Sequence, residues 1–133
     1  MDKTTGVRFA KVVGTWLPAI LLVLIFARQG WAKFDDTSGW AVAFRHWGYP
    51  DWFRVTIGVL ELGAVLMLLL GRTAAFGALV IIVVMLGAWG THLAFDGGRN
   101  MTSEVVPLVL ASIVLIVRRG QVANAVARFR APR

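Results

Sequence analysis

Residues 74–95 read AAFGALVIIVVMLGAWGTHLAF, a stretch without aspartate, glutamate, lysine or arginine. A transmembrane helix needs about 20 predominantly apolar residues, and this stretch meets that requirement. The composition agrees, because 58% of the residues are hydrophobic and 16% are charged, against about 25% charged in an average soluble domain. The sequence therefore predicts an integral membrane protein.

Three further apolar runs lie at residues 12–27, 52–71 and 105–117. A tight turn at Arg72 separates the run at 52–71 from the next, so these two helices are expected to be antiparallel neighbours. The last run is short for a span unless Arg118 and Arg119 snorkel or Glu104 enters the membrane. We therefore predict an all-α membrane protein of one domain (residues 1–133), a four-transmembrane-helix bundle. Its spans are predicted at about residues 10–30, 52–71, 74–95 and 102–119, with a basic tail at 120–133.

The basic residues indicate the orientation in the membrane. Nine of the 14 lysines and arginines fall on the side of both termini, and five fall on the opposite side. Cytoplasmic loops of membrane proteins carry an excess of these residues, so both termini are predicted to be cytoplasmic.

The segment between the first two spans carries a short amphipathic pattern. Trp40, Phe44 and Trp47 share one helical face, and Ser38 or Thr37 can cap the helix that bears them. Together these features predict a short amphipathic helix lying in the outer membrane interface.

Glu61 is the most informative residue, because it lies in the middle of an apolar span. A carboxylate at that depth is costly unless it is paired, hydrogen-bonded or protonated, and such residues are functional by default. Gly58, one turn away on the same face, leaves room for a ligand or a partner side chain. The alternative is a structural hydrogen bond between helices.

Other polar residues map to the same, outer half of the predicted bundle. His92 can exchange a proton near neutral pH, so Glu61 and His92 are the predicted catalytic residues. The predicted ligand-binding residues are Arg28, Lys33, Trp89 and Glu104. Their shared depth favours one polar cavity beneath the tryptophan-rich segment. Alternatively, Arg28 and Lys33 anchor the first helix, and Glu104 favours the positive end of the last.

Several classes of site are excluded by composition and spacing. The chain has two histidines without metal-ligand spacing and no cysteine, so we predict no metal site and no thiol chemistry. The basic residues form no patch on a recognisable nucleic-acid-binding fold, so no nucleic-acid partner is expected.

The chain resembles the DoxX family of bacterial four-span membrane proteins. The resemblance rests on RQGWAKF at residues 28–34, GYP at 48–50, GVLE at 58–61, the Gly71-Arg72 turn, and residues 88–92. It implies a place in the bacterial cytoplasmic (inner) membrane and a role linked to membrane redox chemistry, with a quinone as the implied cofactor. Carried over by position, the family-like polar residues are Arg28, Lys33, Glu61 and His92.

Two functional hypotheses follow. In the first, the protein is a redox-associated or quinone-linked accessory subunit, and if catalytic, part of a quinone-linked oxidoreductase. The sequence has no haem, flavin or iron–sulfur signature, which favours a subunit over a complete enzyme. In the second, it is a noncatalytic membrane module that binds a lipid-like ligand or stabilises a larger complex. Either hypothesis places it in the lipid bilayer with a partner membrane protein or as a homo-oligomer.

Overall fold

All regular structure in residues 2–132, which the computed structural model describes, is helical. The helices are α1 (Lys3–Ala32), α2 (Gly39–His46), α3 (Asp51–Leu70), α4 (Ala74–Phe95), a 3₁₀ helix (Met101–Glu104), α5 (Val105–Val117) and α6 (Arg119–Arg130). Helices α1, α3 and α4 are each long and apolar enough to cross a membrane. The fold is therefore that of an all-α membrane protein.

The fourth predicted span, residues 102–119, is not one continuous helix. It contains most of the 3₁₀ helix, all of α5 and the first residue of α6. The helix axis bends by 58° at Arg118. A fourth helical segment long and apolar enough to cross a membrane exists only if residues 101–117 and 119–130 together form one span. Most of the predicted basic tail after residue 119 forms the helix α6.

Helices α1, α3, α4 and α5 form a ring in which α1 packs on α3 and α5, and α4 packs on the same two helices. Leu22, Phe26, Leu68, Ile81 and Val114 fill the interior and are almost completely buried. Many large apolar side chains remain exposed on the outside of the ring. Such an exterior suits lipid, because lipid tails are as apolar as leucine.

Helix α2 closes one end of the ring, which we call the α2 end. The Ser38 hydroxyl accepts a hydrogen bond from the Ala41 backbone N–H and caps the helix, as predicted. Phe44 is buried against the bundle, with Trp40 and Trp47 half-buried beside it. A short helix is thus present where the amphipathic pattern lies, and its aromatic face turns toward the bundle; its location in the membrane interface stays a prediction.

The opposite end is held together by polar contacts around the turn between α3 and α4. Gly71 has a positive φ of 69°, a conformation that suits glycine. Its carbonyl accepts hydrogen bonds from Arg118 at 2.9 Å and from Gln121 at 2.7 Å. Gln121 also accepts one from the Ala75 N–H at 3.0 Å. These bonds tie the start of α6 to this turn.

Candidate functional site

A cavity of about 380 Å³ lies at the α2 end of the ring. Much of its wall is aromatic or aliphatic, including Trp40, Phe44, Trp47, Tyr49, Phe53, Ile57, Leu60 and Met85. Four ionisable side chains, Lys33, Glu61, His92 and Glu104, also line it. The arrangement combines apolar walls with a few polar groups, as small-molecule sites commonly do.

Lys33 and Glu61 form a buried ion pair between the end of α1 and the middle of α3. The Lys33 ammonium donates hydrogen bonds to Glu61 Oε1 at 3.0 Å and Oε2 at 2.8 Å. Lys33 is 2% exposed and Glu61 is 1% exposed. The Lys33 Nζ also lies 3.9 Å from the centre of the Trp40 ring, a cation–π contact that ties α2 to the pair. Each charge therefore has the partner that burial requires.

Two glycines allow α1 and α3 to approach closely enough for this pair. A Cβ atom added at Gly58 would lie 3.0 Å from both the Gly30 carbonyl oxygen and Lys33 Cβ. One added at Gly30 would lie 3.0 Å from Leu62 and 3.3 Å from Glu61 Cβ. The predicted space above Gly58 is therefore occupied by α1, including the base of the Lys33 side chain.

A second polar group faces the cavity from α4 and the 3₁₀ helix. His92 Nδ1 lies 2.7 Å from Asp96 Oδ2, and His92 Nε2 lies 3.5 Å from Glu104 Oε1. Ser103 donates a hydrogen bond to Glu104 Oε1 at 2.8 Å. Glu104 Oε2 is buried without a hydrogen-bond partner among the described residues. Buried polar atoms without a partner are uncommon in folded proteins, so this oxygen is an unusual feature of the group.

Asp96 anchors this second group at the end of α4. Both Asp96 carboxylate oxygens lie 3.1 Å from Trp47 Nε1, which donates to them, and His46 Nε2 lies 3.6 Å from Asp96 Oδ1. The hydrogen bond with His92 holds the pKa of Asp96 below its usual value; partial desolvation opposes this, and the Trp47 bond adds to it. The ionised carboxylate thus fixes the position of the His92 ring.

A second, more open depression of about 1080 Å³ adjoins the cavity. Trp40, Trp47, His92, Ser103 and Glu104 line both spaces. Asp96, His46 and Arg99 line the depression and not the cavity. His92 and Glu104 therefore stand at the boundary between the two.

Arg54 is a fully buried cation close to the site. Its guanidinium donates to the backbone carbonyls of Lys33 at 2.8 Å and Asp35 at 3.1 Å, and pairs with Asp36 and Asp51. These bonds hold the chain where α1 ends, which fixes the backbone of Lys33. Arg54 is a structural residue in this arrangement.

The structure brings together four of the six predicted site residues. Lys33, Glu61, His92 and Glu104 line one cavity. Arg28 is exposed and lies outside the cavity wall. Trp89 also lies outside it and donates a hydrogen bond from Nε1 to the Met101 carbonyl at 2.9 Å, holding the 3₁₀ helix on α4.

Three residues with a clear place at the site were absent from the predicted set. Asp96 follows His92 by four positions, a spacing that brings two side chains together on a helix. Tyr49 shares a 2.9 Å hydrogen bond with Thr91, and only tertiary structure reveals that contact. Arg54 lies on the same helix as Glu61, but its bonds to the end of α1 depend on a chain reversal that sequence alone does not show.

Comparison with known proteins assigns the family. The sequence profile of the DoxX-like family matches residues 17–117, from within α1 to the end of α5. The chain is similar to a Bacillus subtilis (strain 168) protein named "Uncharacterized protein YdgD", with 36% identity over 78 residues. That match covers 56% of this chain and 64% of the relative, which is less than two thirds of its length. No solved structure matches the chain significantly. With a profile match over most of its length, the chain belongs to the DoxX-like family.

Proposed function

We propose that the protein is a redox-associated membrane subunit that binds a quinone-class ligand in the cavity at the α2 end. The observation that carries this proposal is the meeting of four ionisable side chains from different segments at one aromatic-walled cavity. Lys33 and Glu61 come from the α1 and α3 side, and His92 and Glu104 come from the α4 and α5 side. A flat ring with oxygens at its edges suits such a space.

The residues fit a quinone in size, wall chemistry and polar groups. The volume of about 380 Å³ lies within the range of about 300–1,000 Å³ typical of small-molecule sites. Trp40, Phe44 and Phe53 offer faces and edges for ring packing, and Glu104 Oε2 lacks a protein partner. A quinone, when bound, supplies two-electron, two-proton chemistry.

The side chains of this chain would divide the work of binding and proton handling. Lys33 and Glu61 already hydrogen-bond each other, so they supply a fixed polar end wall. His92 is oriented by Asp96, and both His92 and Glu104 line the cavity. The ligand oxygens would therefore hydrogen-bond on the His92–Glu104 side: hydroquinone hydroxyls would donate to these side chains, and quinone oxygens would accept from their protonated forms.

In the membrane, we place α2 and the cavity at the outer face of the bacterial inner membrane and both termini in the cytoplasm. The excess of basic residues on the side of the termini supports this orientation. The exposed edge of α2, with Val42 turned outward, suits an interfacial helix. A partner membrane protein would supply the electron donor.

Binding of a short-chain quinone to the purified protein in nanodiscs tests the proposal. We expect saturable quenching of tryptophan fluorescence, because Trp40 and Trp47 line the cavity. Phe53→Ala should weaken binding by about tenfold, since loss of an aromatic contact of 1–2 kcal/mol corresponds to about that factor. Leu66→Ala, at an exposed site on α3, is the control and should bind as the wild type does. Quenching that does not saturate, or equal affinity in both variants, would refute the proposal.

The second candidate is a noncatalytic module that holds a lipid-like ligand. Lys33 and Glu61 hydrogen-bond each other, so neither needs a polar group from the ligand. The rest of the cavity wall is largely apolar, which favours a lipid-like ligand. Mass spectrometry of molecules released from the purified protein separates the two: a stoichiometric phospholipid or fatty acid without quinone supports the second candidate.

A further inference from the structure

His92 and Glu104 stand between the open depression and the cavity, since both line both spaces. We propose that these two side chains transfer protons between the depression and the cavity, with Asp96 as the positioning residue that sets the His92 tautomer. The inference deepens the proposed function and rests on it for the identity of the final proton acceptor. The transfer unit itself is defined by residues of this chain alone.

The tautomer of His92 follows from its contact with Asp96. An ionised carboxylate only accepts hydrogen bonds, so His92 Nδ1, at 2.7 Å from Asp96 Oδ2, must carry the hydrogen. In neutral His92 this leaves a lone pair on Nε2, the atom that lies 3.5 Å from Glu104 Oε1. His92 Nε2 can therefore accept a proton at the boundary between the depression and the cavity.

Glu104 is the second member of the pair and, like His92, lines both spaces. It is 6% exposed, its Oε1 accepts from Ser103, and its buried Oε2 has no partner in residues 2–132. The separation of 3.5 Å from His92 Nε2 exceeds a good hydrogen bond, and a small side-chain rotation would close it. Proton-transfer pairs are often long in the absence of ligand.

The number of protons is conserved in this transfer, and no residue of the chain is oxidised or reduced. Water in the depression gives a proton to His92 Nε2, the hydroxide left behind returns to bulk solvent, and Asp96 stabilises the imidazolium that forms. That proton passes to Glu104, which becomes a neutral carboxylic acid while His92 returns to its Nδ1–H form. Glu104 would then give the proton to a ligand oxygen, once the electron donor of the partner protein has reduced the ligand, and would be a carboxylate again. One proton enters from water and one leaves to the ligand.

The charged groups around His92 set the conditions for this transfer. His46 on α2 lies 3.6 Å from Asp96 and is largely exposed, so it is a competing partner for that carboxylate. Arg99 lines the depression, and Lys33 and Glu61 line the cavity from α1 and α3. The Trp47 ring meets the His92 ring edge-on at 5.3 Å and limits its rotation.

The tautomer can be tested by nitrogen NMR on the full-length protein with ¹⁵N-labelled histidine. The chain has two histidines, so in a His46→Gln background His92 gives the single histidine signal. We expect the Nδ1–H form of His92 above neutral pH, and its loss in favour of a tautomer mixture in Asp96→Asn. A wild-type His92 in the Nε2–H form would overturn the proposal.

Proton occupancy of Glu104 is tested by difference infrared spectroscopy between low and high pH. A band of a protonated carboxyl group should appear in the wild type, be lost in Glu104→Gln, and shift in His92→Gln. A band unchanged in both variants would overturn the proposal. Both measurements are made without ligand, so failure of quinone binding with intact proton signals would count against the proposed function alone.

Discussion

The Lys33–Glu61 ion pair is the feature of single residues that most constrains the bundle. Taking two charges out of water costs several kcal/mol each, and only good mutual geometry offsets that cost. The ammonium lies within 3.0 Å of both carboxylate oxygens, and both side chains are buried. Loss of one partner therefore leaves a buried charge alone.

A double-mutant cycle on this pair measures the coupling. Lys33→Met and Glu61→Gln should each lower stability in detergent by about 3 kcal/mol or more, because each leaves one buried charge without its counter-charge. The double variant should be more stable than the sum of the two losses predicts, since neither charge remains. Strictly additive losses in unfolding measurements would show that the two residues do not pair.

Asp96 gives the site a defined response to acid. The hydrogen bond with His92 is the main cause of the lowered pKa of Asp96 in the folded protein. The ionised Asp96 therefore contributes its full stabilisation above the ordinary aspartate pKa of about 3.9. This stabilisation is lost as the pH falls through the lowered pKa. The wild type should melt at a higher temperature than Asp96→Asn at pH 6, and this difference should shrink below about pH 4. A difference that grows on acidification would contradict the assignment.

Sequence reasoning identified the buried carboxylate but could not choose among its partners. Glu61 had to face a polar partner because lipid offers none. Arg28 and Lys33 are five residues apart, which is about 140° around a helix, so they cannot both face α3. The rotation of α1, set by the packing of Gly30 against α3, decides in favour of Lys33. Such rotations depend on tertiary contacts.

At the level of elements, the close approach of α1 and α3 positions the ion pair. Gly58→Ala should destabilise the bundle by about 1–3 kcal/mol, because the new methyl group would press on the Gly30 carbonyl and Lys33 Cβ. Gly63→Ala is the matched control on the same helix, because nothing lies within 4 Å of its added Cβ. It should be neutral or stabilising by up to about 1 kcal/mol. Equal effects in thermal melts would refute the close approach.

The helices in the middle of the chain were predictable almost to the residue, and those near the ends were not. The apolar stretches at α3 and α4 are bounded by charges and by the Gly71 turn, so their limits are clear in the sequence. Helix α1 begins at Lys3, well before the predicted span, because helix formation does not stop at the membrane boundary. The bend at Arg118 lies beside hydrogen bonds from Arg118 and Gln121 to the Gly71 carbonyl, which no local pattern shows.

For the whole molecule, the orientation in the membrane is the first property to measure. The chain has no cysteine, so single-cysteine variants can be labelled without background. An impermeant maleimide should label Thr102→Cys in intact cells, and should label Ala127→Cys in α6 only after permeabilisation, because the termini are predicted to be cytoplasmic. The reverse pattern would place the cavity at the cytoplasmic face.

Photocrosslinking tests whether the cavity at the α2 end holds a quinone-class ligand, as we propose. A short-chain quinone with a diazirine group would be irradiated with the protein in nanodiscs, and the labelled residues identified by mass spectrometry. We expect label on residues that line the cavity, such as Trp40, Phe53 and Met85. Excess unlabelled quinone should prevent this labelling. Label confined to exposed outer residues such as Val59 and Leu66, and unaffected by competitor, would contradict the proposal.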